Sequence, residues 1–181
     1  MILKQHSDAS YLSEAKARSR GAGFFYLGDI NADTIEENNG ALLVTSTIMS
    51  NVMSSVAEAE CGSLFNTCKD GVPIRITLNE MGHIQPPTPT QVDNSTTDGF
   101  ANNRLKQRRS KSMDMRFYWV QDRVKQGHFN VHWRRGSDNL ADYFSKHHSP
   151  SHHRLMRSRY YLDHHKPTES HNDNRSMARV C

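Results

Sequence analysis

An acidic residue at the end of a predicted strand is the first candidate for chemistry in this sequence. Residues 90–93 follow a proline-rich segment, alternate in polarity and end at Asp93. Asn94 and Ser95, which come next, are typical of the start of a helix. An acid between a strand and a helix lies where sheet proteins place catalytic groups, although helix capping is the commoner role. Three further acids fall in segments that could converge on Asp93, namely Asp8, Glu60 and Asp142.

Three segments with strand character come first in the chain. Residues 1–9 are short and include Asp8 near their end, and residues 21–28 are rich in aromatic residues and bounded by glycines. Residues 29–40 form a polar loop that ends in Asn-Gly, which is a hairpin signal, and residues 41–49 form the third strand. Three consecutive strands with a tight turn between the last two predict an antiparallel meander.

A helical period follows, beginning near Val56. One face of this helix carries Val56, Glu60, Leu64 and Cys68, with Phe65 beside it. Glu60 therefore lies on an inward stripe of apolar residues, where an ordinary surface glutamate would not be expected. Gly71 and Pro73 are predicted to end this helix, and a second helical piece is predicted over residues 73–81.

The second half of the chain alternates strands and helices. The strand that ends at Asp93 leads into a short helix through residue 103, and residues 111–126 form the clearest helix. Residues 128–134 alternate strictly and predict a fifth strand, and residues 140–146 predict a last helix. The apolar stripe of the clearest helix consists of Met113, Phe117, Val120 and Val124.

Composition limits the class of protein. The 181 residues suit one domain, predicted over residues 1–148, and a polar His- and Arg-rich tail over 149–181 that we expect to be mobile. The net charge is +4, with the basic excess after residue 104. A solvated surface would explain it, but a basic half also suits a polyanion such as nucleic acid. Three cysteines without framework spacing, and the lack of a secretory or membrane-length apolar segment, predict a soluble intracellular protein and no membrane partner.

Five short segments carry a resemblance to a known family. They are residues 7–10, 55–60, 92–95, 111–116 and 139–146. In order and spacing they resemble the ribonuclease H domain of copia-type LTR retrotransposons, the C-terminal module of a reverse transcriptase polyprotein, over residues 2–150. The resemblance implies an α/β, RNase H-like fold. Its mixed five-stranded sheet would have three antiparallel strands followed by two further strands, flanked by helices.

The resemblance also implies a metal-dependent endonuclease that hydrolyses the RNA strand of RNA–DNA hybrids. Its catalytic and metal-binding acids, carried over by position, are Asp8, Glu60, Asp93 and Asp142. The expected cofactor is a pair of Mg²⁺ ions, for which Mn²⁺ could substitute. Two hard cations about 4 Å apart activate a water and neutralise the leaving 3′-oxygen, and they require carboxylate oxygens. Glu60 is also the acid that the helical stripe directs inward.

Substrate contacts are predicted from charge and position. Arg108, Arg109 and Lys111 are candidates for the phosphates of the DNA strand, and Asn94 and Ser95 for the RNA backbone. Helix capping is an equal alternative for Asn94. The expected partners are an RNA–DNA hybrid and a reverse transcriptase polymerase domain, in a cytoplasmic retroelement particle or in the nucleus. The histidine pairs of the tail lack cysteine partners and finger spacing, which argues against zinc. His147 or His148 could assist proton transfer or product release.

Departures from the family pattern leave alternatives open. Cys61 and Gly62 replace an aromatic and a larger residue, so the helix that carries Glu60 is expected to lose packing and propensity. Ser112 stands where the family commonly has His, and Ser145 stands where it usually has Thr. The chain begins almost on its first strand, as expected of a fragment of a polyprotein gene. The second hypothesis is therefore an inactive retroelement remnant that only folds or binds hybrids. A transposase- or integrase-like DNA nuclease is a third, disfavoured by the motif order and by the position of Glu60 on a helix.

Overall fold

The computed structural model of the chain describes residues 1–29, 40–105 and 111–160. Short 3-10 turns occur at Ala15–Ala17 and Gly136–Asp138. The strands are β1 (Ile2–Glu14), β2 (Arg18–Gly28), β3 (Leu43–Ile48), β4 (Thr88–Val92) and β5 (Phe129–Trp133). The helices are α1 (Val56–Glu80), α2 (Ser95–Ala101), α3 (Lys111–Lys125), α4 (Asp142–Ser145) and α5 (Pro150–Tyr160).

The five strands form one mixed sheet in the order β3-β2-β1-β4-β5. Strands β1, β2 and β3 are antiparallel neighbours, whereas β4 runs parallel to β1 and β5 parallel to β4. His6 pairs with Gln91, so the same register continued by two residues places Asp8 beside Asp93. The predicted fold class and the antiparallel meander are confirmed, and the topology brings two of the candidate acids to one edge of the sheet.

The two faces of the sheet are covered by different helices. On one face, α1 and α3 pack on the sheet around a core of seven buried residues. Gly21 and Gly23 of β2 allow α1 to approach closely, because a Cβ at either position would meet Ser63 or Thr67 of that helix. The next residue of β2, Phe24, points to the opposite face and packs with Phe144 and Tyr160 of the α4–α5 region. The core of the first face consists of Leu64, Cys68, Val92, Ala101, Val120, Phe129 and Val131.

Helix α1 is continuous over 25 residues, and the predicted break at Gly71 and Pro73 is wrong. Proline removes one backbone donor, but packing around the site keeps the helix intact. Gly71 lies against Gln5 and Phe129, where a larger side chain would not fit. Two residues after the proline, buried Arg75 donates to the carbonyl oxygens of Pro86 and Gln85, at 2.6 and 3.2 Å. These contacts hold the second half of α1 on the segment that leads into β4.

Three other expectations differ from the structure. The expected loss of packing at Cys61 and Gly62 is not seen: Cys61 is buried against Phe117, and Gly62 lies close to the end of Met53. The last predicted helix, over residues 140–146, is only the single turn α4. Residues 150–160, which were assigned to the tail, form helix α5, whereas residues 161–181 and most of the predicted 29–40 loop lie outside the described residues.

In the described ranges, the structure contains no helix with the length and apolar character required to cross a bilayer.

A pair of glycine substitutions tests the close approach of α1 to the sheet. In Gly21→Ala the new methyl group would lie 2.8 Å from the Met49 methyl and 2.9 Å from Ser63 Oγ, so we expect a loss of about 1–3 kcal/mol in the free energy of unfolding. In Gly62→Ala the nearest atom is the flexible end of Met53 at 3.2 Å. Because alanine favours a helix over glycine by about 1 kcal/mol, this second variant should be neutral or more stable. Urea unfolding measures both, and equal losses would contradict the predicted packing.

Candidate metal centre

Three aspartates from different parts of the chain meet at one edge of the sheet. Asp8 lies on β1, Asp93 follows the last residue of β4, and Asp142 begins α4. One carboxylate oxygen from each of them lies within 4.8 Å of the other two. Asp8 is fully buried, and the other two are partly buried. We call these three residues the aspartate cluster.

Hydrogen bonds to β1 hold the segment that carries Asp142 in place. Asn139 donates from its side-chain amide to the carbonyl oxygen of Ser7 at 2.8 Å, and the Leu140 N–H donates to His6 Nδ1 at 3.0 Å. At the other end of α4, the Ser145 hydroxyl donates to Asp8 Oδ2. Residues on both sides of Asp142 are therefore bonded to the strand that carries Asp8.

His6 links this segment to β2 as well as to β1. Its ring is buried, and its Nε2 lies 3.2 Å from the Tyr26 hydroxyl. Since Nδ1 accepts from the Leu140 N–H, the ring proton of the neutral form must be on Nε2, which donates to Tyr26. Burial, followed by the nearby His132, Arg134 and Lys4, lowers the pKa of His6 to about 3, so the ring stays neutral near neutral pH.

Glu60 faces the aspartate cluster from helix α1 without joining its tightest group. It is only 5% exposed, and the Ala9 N–H donates to its carboxylate. Burial first, and then the charges of Asp8 and Asp93, raise the pKa of Glu60 to about 9. The charges of both aspartates act on Glu60, so its carboxylate lies near them, and its burial agrees with the predicted inward stripe.

Burial and mutual repulsion also act on the aspartates. Burial raises the pKa of Asp8 to about 7, and the charges of Asp93 and Asp142 add to it, against the opposing effects of Lys146 and Ser145. Burial likewise raises the pKa of Asp93. Lys146 contacts Asp142 Oδ1, and its Nζ lies 3.7 Å from Asp8 Oδ2. Burial alone would lower the pKa of Lys146, but Asp8, Asp142 and Asp93 together raise it.

The unpaired oxygens of the site suit a divalent cation. Asp8 Oδ1 and Glu60 Oε2 are buried, and neither has a hydrogen-bond partner among the described residues. Leaving a buried carboxylate oxygen unpaired is costly unless a cation binds it. Hard cations such as Mg²⁺ and Mn²⁺ take carboxylate ligands, so this donor set fits them. In the part of the chain that the structure describes, Asp8, Asp93 and Asp142 form the group of side chains close enough to share a metal ion.

The predicted substrate residues are only partly described. Asn94 caps helix α2, because its Oδ1 accepts from the N–H groups of Thr96 and Thr97 at 2.9 and 3.3 Å, and Ser95 is exposed beside it. The capping alternative is therefore realised, and it uses only the carbonyl oxygen of the Asn94 amide. Arg108 and Arg109 lie outside the described residues, and Lys111 begins α3 with a side chain that is not described.

Sequence reasoning assigned no role to several residues that build the site. Asn139 and Lys146 lie in a segment that carried the resemblance, but their partners on β1, Ser7 and Asp8, are more than a hundred residues away in the chain. His6 lies two residues before Asp8, so the alternation of β1 places both on one face. Strand alternation was therefore the one sequence feature that linked His6 to the site. It could not identify Leu140 as the partner of His6.

Known structures with a similar fold are ribonucleases H. LC11-RNase H1, solved in complex with an RNA/DNA hybrid, matches at a TM-score of 0.57 and 10% identity over 78% of this chain and 92% of its own. RNase H1 of Halobacterium salinarum matches at a TM-score of 0.57 and 9% identity, over 80% of this chain and 95% of its own. The N-terminal RNase H domain of a Mycobacterium tuberculosis protein matches at a TM-score of 0.55 and 14% identity, over 79% of this chain and 91% of the solved chain. The chain therefore has the ribonuclease H fold.

A curated relative agrees with the retrotransposon resemblance. It is the retrovirus-related Pol polyprotein from transposon TNT 1-94 of Nicotiana tabacum, 23% identical over 145 residues. The match covers 80% of this chain but only 10% of the polyprotein. No protein-family model matches the chain. Together with the fold, this similarity confirms the resemblance to a retrotransposon ribonuclease H domain.

The neutral state of His6 predicts an acid-sensitive contribution to stability. The folded-state pKa of about 3 lies below the ordinary value of 6.5, so between these values the unfolded chain binds a proton that the folded chain excludes. Stability should fall as the pH drops through this window, by up to about 1.4 kcal/mol per pH unit. Urea unfolding of the wild type and His6→Gln from pH 7 to 4 measures the difference in slope. Parallel slopes would show that His6 does not carry this effect.

Asp8 predicts the opposite pH dependence. Its pKa is raised from 3.8 to about 7, so the folded chain binds the extra proton and stability should fall as the pH rises through that window. With EDTA present, Asp8→Asn should be more stable than the wild type at pH 8, by roughly 1–3 kcal/mol. The difference should shrink at pH 5, where both side chains are neutral. An Asn variant that is less stable at pH 8 would contradict this prediction.

Proposed function

We propose that this chain is a metal-dependent endonuclease that hydrolyses the RNA strand of RNA–DNA hybrids. The observation that carries the proposal is the aspartate cluster, three carboxylate oxygens within 4.8 Å of one another, with the buried and unpaired Oδ1 of Asp8. The ribonuclease H fold supports it, since a protein of that fold has been solved with an RNA/DNA hybrid. The weak match to a transposon Pol polyprotein supports a retroelement origin.

The residues that would hold the metal are the four acids predicted from the sequence. Asp8, Asp93 and Asp142 supply the clustered oxygens, and Glu60 supplies its unpaired Oε2. The proposed cofactor is a pair of Mg²⁺ ions, with Mn²⁺ as a substitute. When bound, such ions activate a water molecule and neutralise the leaving 3′-oxygen of the RNA strand.

The protein's own contribution is to fix the ligand oxygens before the substrate arrives. Asp8 cannot rotate freely, because it is fully buried and Ser145 donates to its Oδ2. The bond from Asn139 to Ser7 and the bond from Leu140 to His6 hold the backbone that leads into Asp142. Preorganised ligands of this kind spare the site a reorganisation cost during reaction.

Selection for RNA would depend on donors next to the aspartate cluster. The side-chain amide of Asn94 uses its oxygen for capping, which leaves its NH₂ group to donate to a ribose or phosphate oxygen. Ser95 is exposed next to it and offers a hydroxyl. Arg108, Arg109 and Lys111 remain the proposed contacts for the DNA strand, and a polymerase domain remains the proposed protein partner.

Cleavage assays with three substrates test this function. The protein is incubated with labelled RNA–DNA hybrid, duplex DNA or duplex RNA in Mg²⁺ or Mn²⁺, and we expect cuts only in the RNA of the hybrid. Asp8→Asn, Glu60→Gln, Asp93→Asn and Asp142→Asn should each lower the rate by at least about 100-fold, because each removes a metal ligand. Asp122→Asn, the same change on the exposed face of α3, is the matched control and should cleave as the wild type does.

Each other outcome identifies an alternative. Tight binding of the hybrid without cleavage, in either metal, would support an inactive remnant that only binds nucleic acid. Cut DNA would support a transposase- or integrase-like nuclease. Cleavage that survives Asp8→Asn and Asp142→Asn would place the active site elsewhere and reject the proposal.

A further inference from the structure

We propose that Lys146 and the divalent cation compete for the same carboxylate oxygens, so that this lysine lowers the metal affinity of the site. This inference rests on the proposed function, since it concerns the same four acids. It adds a residue that tunes how readily the site takes its metal.

The position of the ammonium group is the basis of the proposal. Lys146 contacts Asp142 Oδ1 four residues earlier, and its Nζ lies 3.7 Å from Asp8 Oδ2. One positive group thus bridges two of the three members of the aspartate cluster. A cation bound by Asp8 and Asp142 would have to approach the region that this group occupies. Because the ammonium and a divalent ion repel one another, both cannot lie there together.

Lys146 is more free to move than the acids it contacts. The side chain of Asp8 is 0% exposed, whereas that of Lys146 is 41% exposed. Lys146 follows the last residue of α4 with an extended backbone, so its side chain can swing out to solvent without disturbing the helix. The hydrogen bonds of Asn139 and Leu140 to β1 hold Asp142 whether or not the lysine stays. Exchange therefore needs only a side-chain movement.

The ammonium satisfies the acids only in part. Asp8 Oδ1 and Glu60 Oε2 have no hydrogen-bond partner within the described ranges, although Lys146 lies near the opposite oxygen of Asp8. A divalent cation carries twice the charge and can accept several carboxylate oxygens at once. It can therefore displace the lysine, but the binding free energy is reduced by the ion pairs that are broken.

Metal titrations of three variants test the competition. MnCl₂ is titrated into each folded protein at one fixed pH, and the apparent Kd is measured by isothermal calorimetry. Lys146→Met keeps most of the side-chain length without the charge and should bind Mn²⁺ about fivefold more tightly, which is the upper end of the effect expected for a partly exposed ion pair. Lys146→Arg keeps the charge and should stay close to the wild type. Lys125→Met removes a charge from an exposed position on α3, which supplies none of the four acids, and is the matched control.

The outcomes separate this inference from the proposed function. Tighter binding by Lys146→Met alone supports the competition. Equal or weaker binding by Lys146→Met, with the wild type still binding Mn²⁺ in a manner that Asp8→Asn abolishes, overturns the inference and leaves the proposed function intact. A similar gain in Lys125→Met would also overturn it, since the effect would then reflect net charge. If neither the wild type nor Lys146→Met binds Mn²⁺, the proposed function fails and the inference fails with it. Lys146→Gln replaces Lys146→Met if the latter does not unfold cooperatively.

Discussion

The structure depends on the attachment of residues 139–146 to strand β1, because that attachment brings Asp142 to a carboxylate that is already buried. Asp8 is fully buried, and burial raises its pKa to about 7 even though Lys146 and Ser145 oppose the shift. Concentrating acids in this way destabilises a folded protein, since each charge loses water and repels its neighbours. The attachment is made by hydrogen bonds to the backbone of Ser7 and to the ring of His6. These bonds do not depend on the charge of the acids, so the site stays assembled despite its repulsion.

Sheet topology explains why acids so distant in sequence can meet. The parallel pairing of β1 with β4 places the end of β4 beside the middle of β1, and the register continued from His6 and Gln91 sets Asp8 beside Asp93. The antiparallel pairing of β1 with β2 brings Tyr26 within reach of His6, which in turn receives the N–H of Leu140. Helix α1 crosses the other face. Strand pairing thus fixes Asp8 relative to Asp93, whereas hydrogen bonds to β1 hold the segment that carries Asp142 and the packing of α1 places Glu60.

Local patterns predicted those parts of the fold whose signal lies in one segment. The alternation of the strands, the burial of Phe117 and Val120 on the α3 stripe and the inward position of Glu60 each follow from residues close in sequence, and they match the structure. The break at Pro73 was wrong because Arg75 is held by Pro86 and Gln85, which no local pattern can reveal. Helix α5 was missed for a similar reason: its Tyr160 packs on Phe24 and Phe144, distant residues that compensate for a polar sequence. The convergence of the four acids was predicted from the order of the motifs in the family resemblance, and periodicity alone would not have predicted it.

The spacing between Glu60 and Asp8 is set by residues next to the acids themselves. Ser63, nearly one turn after Glu60, donates to the carbonyl oxygen of Asp8 at 2.7 Å, and the N–H of Ala9 bonds the carboxylate of Glu60. Gly21 leaves room for Ser63 at this crossing, and Gly62 faces the methionines that precede the helix. Gly21 therefore lets α1 lie close to the sheet, whereas Gly62 meets only the flexible ends of two methionines and is not required by this crossing. A bulkier residue at Gly21 would push α1 away from β1 and move Glu60 from the aspartates. The close packing of α1 on the sheet thus also determines the distance between Glu60 and Asp8 in the candidate metal centre.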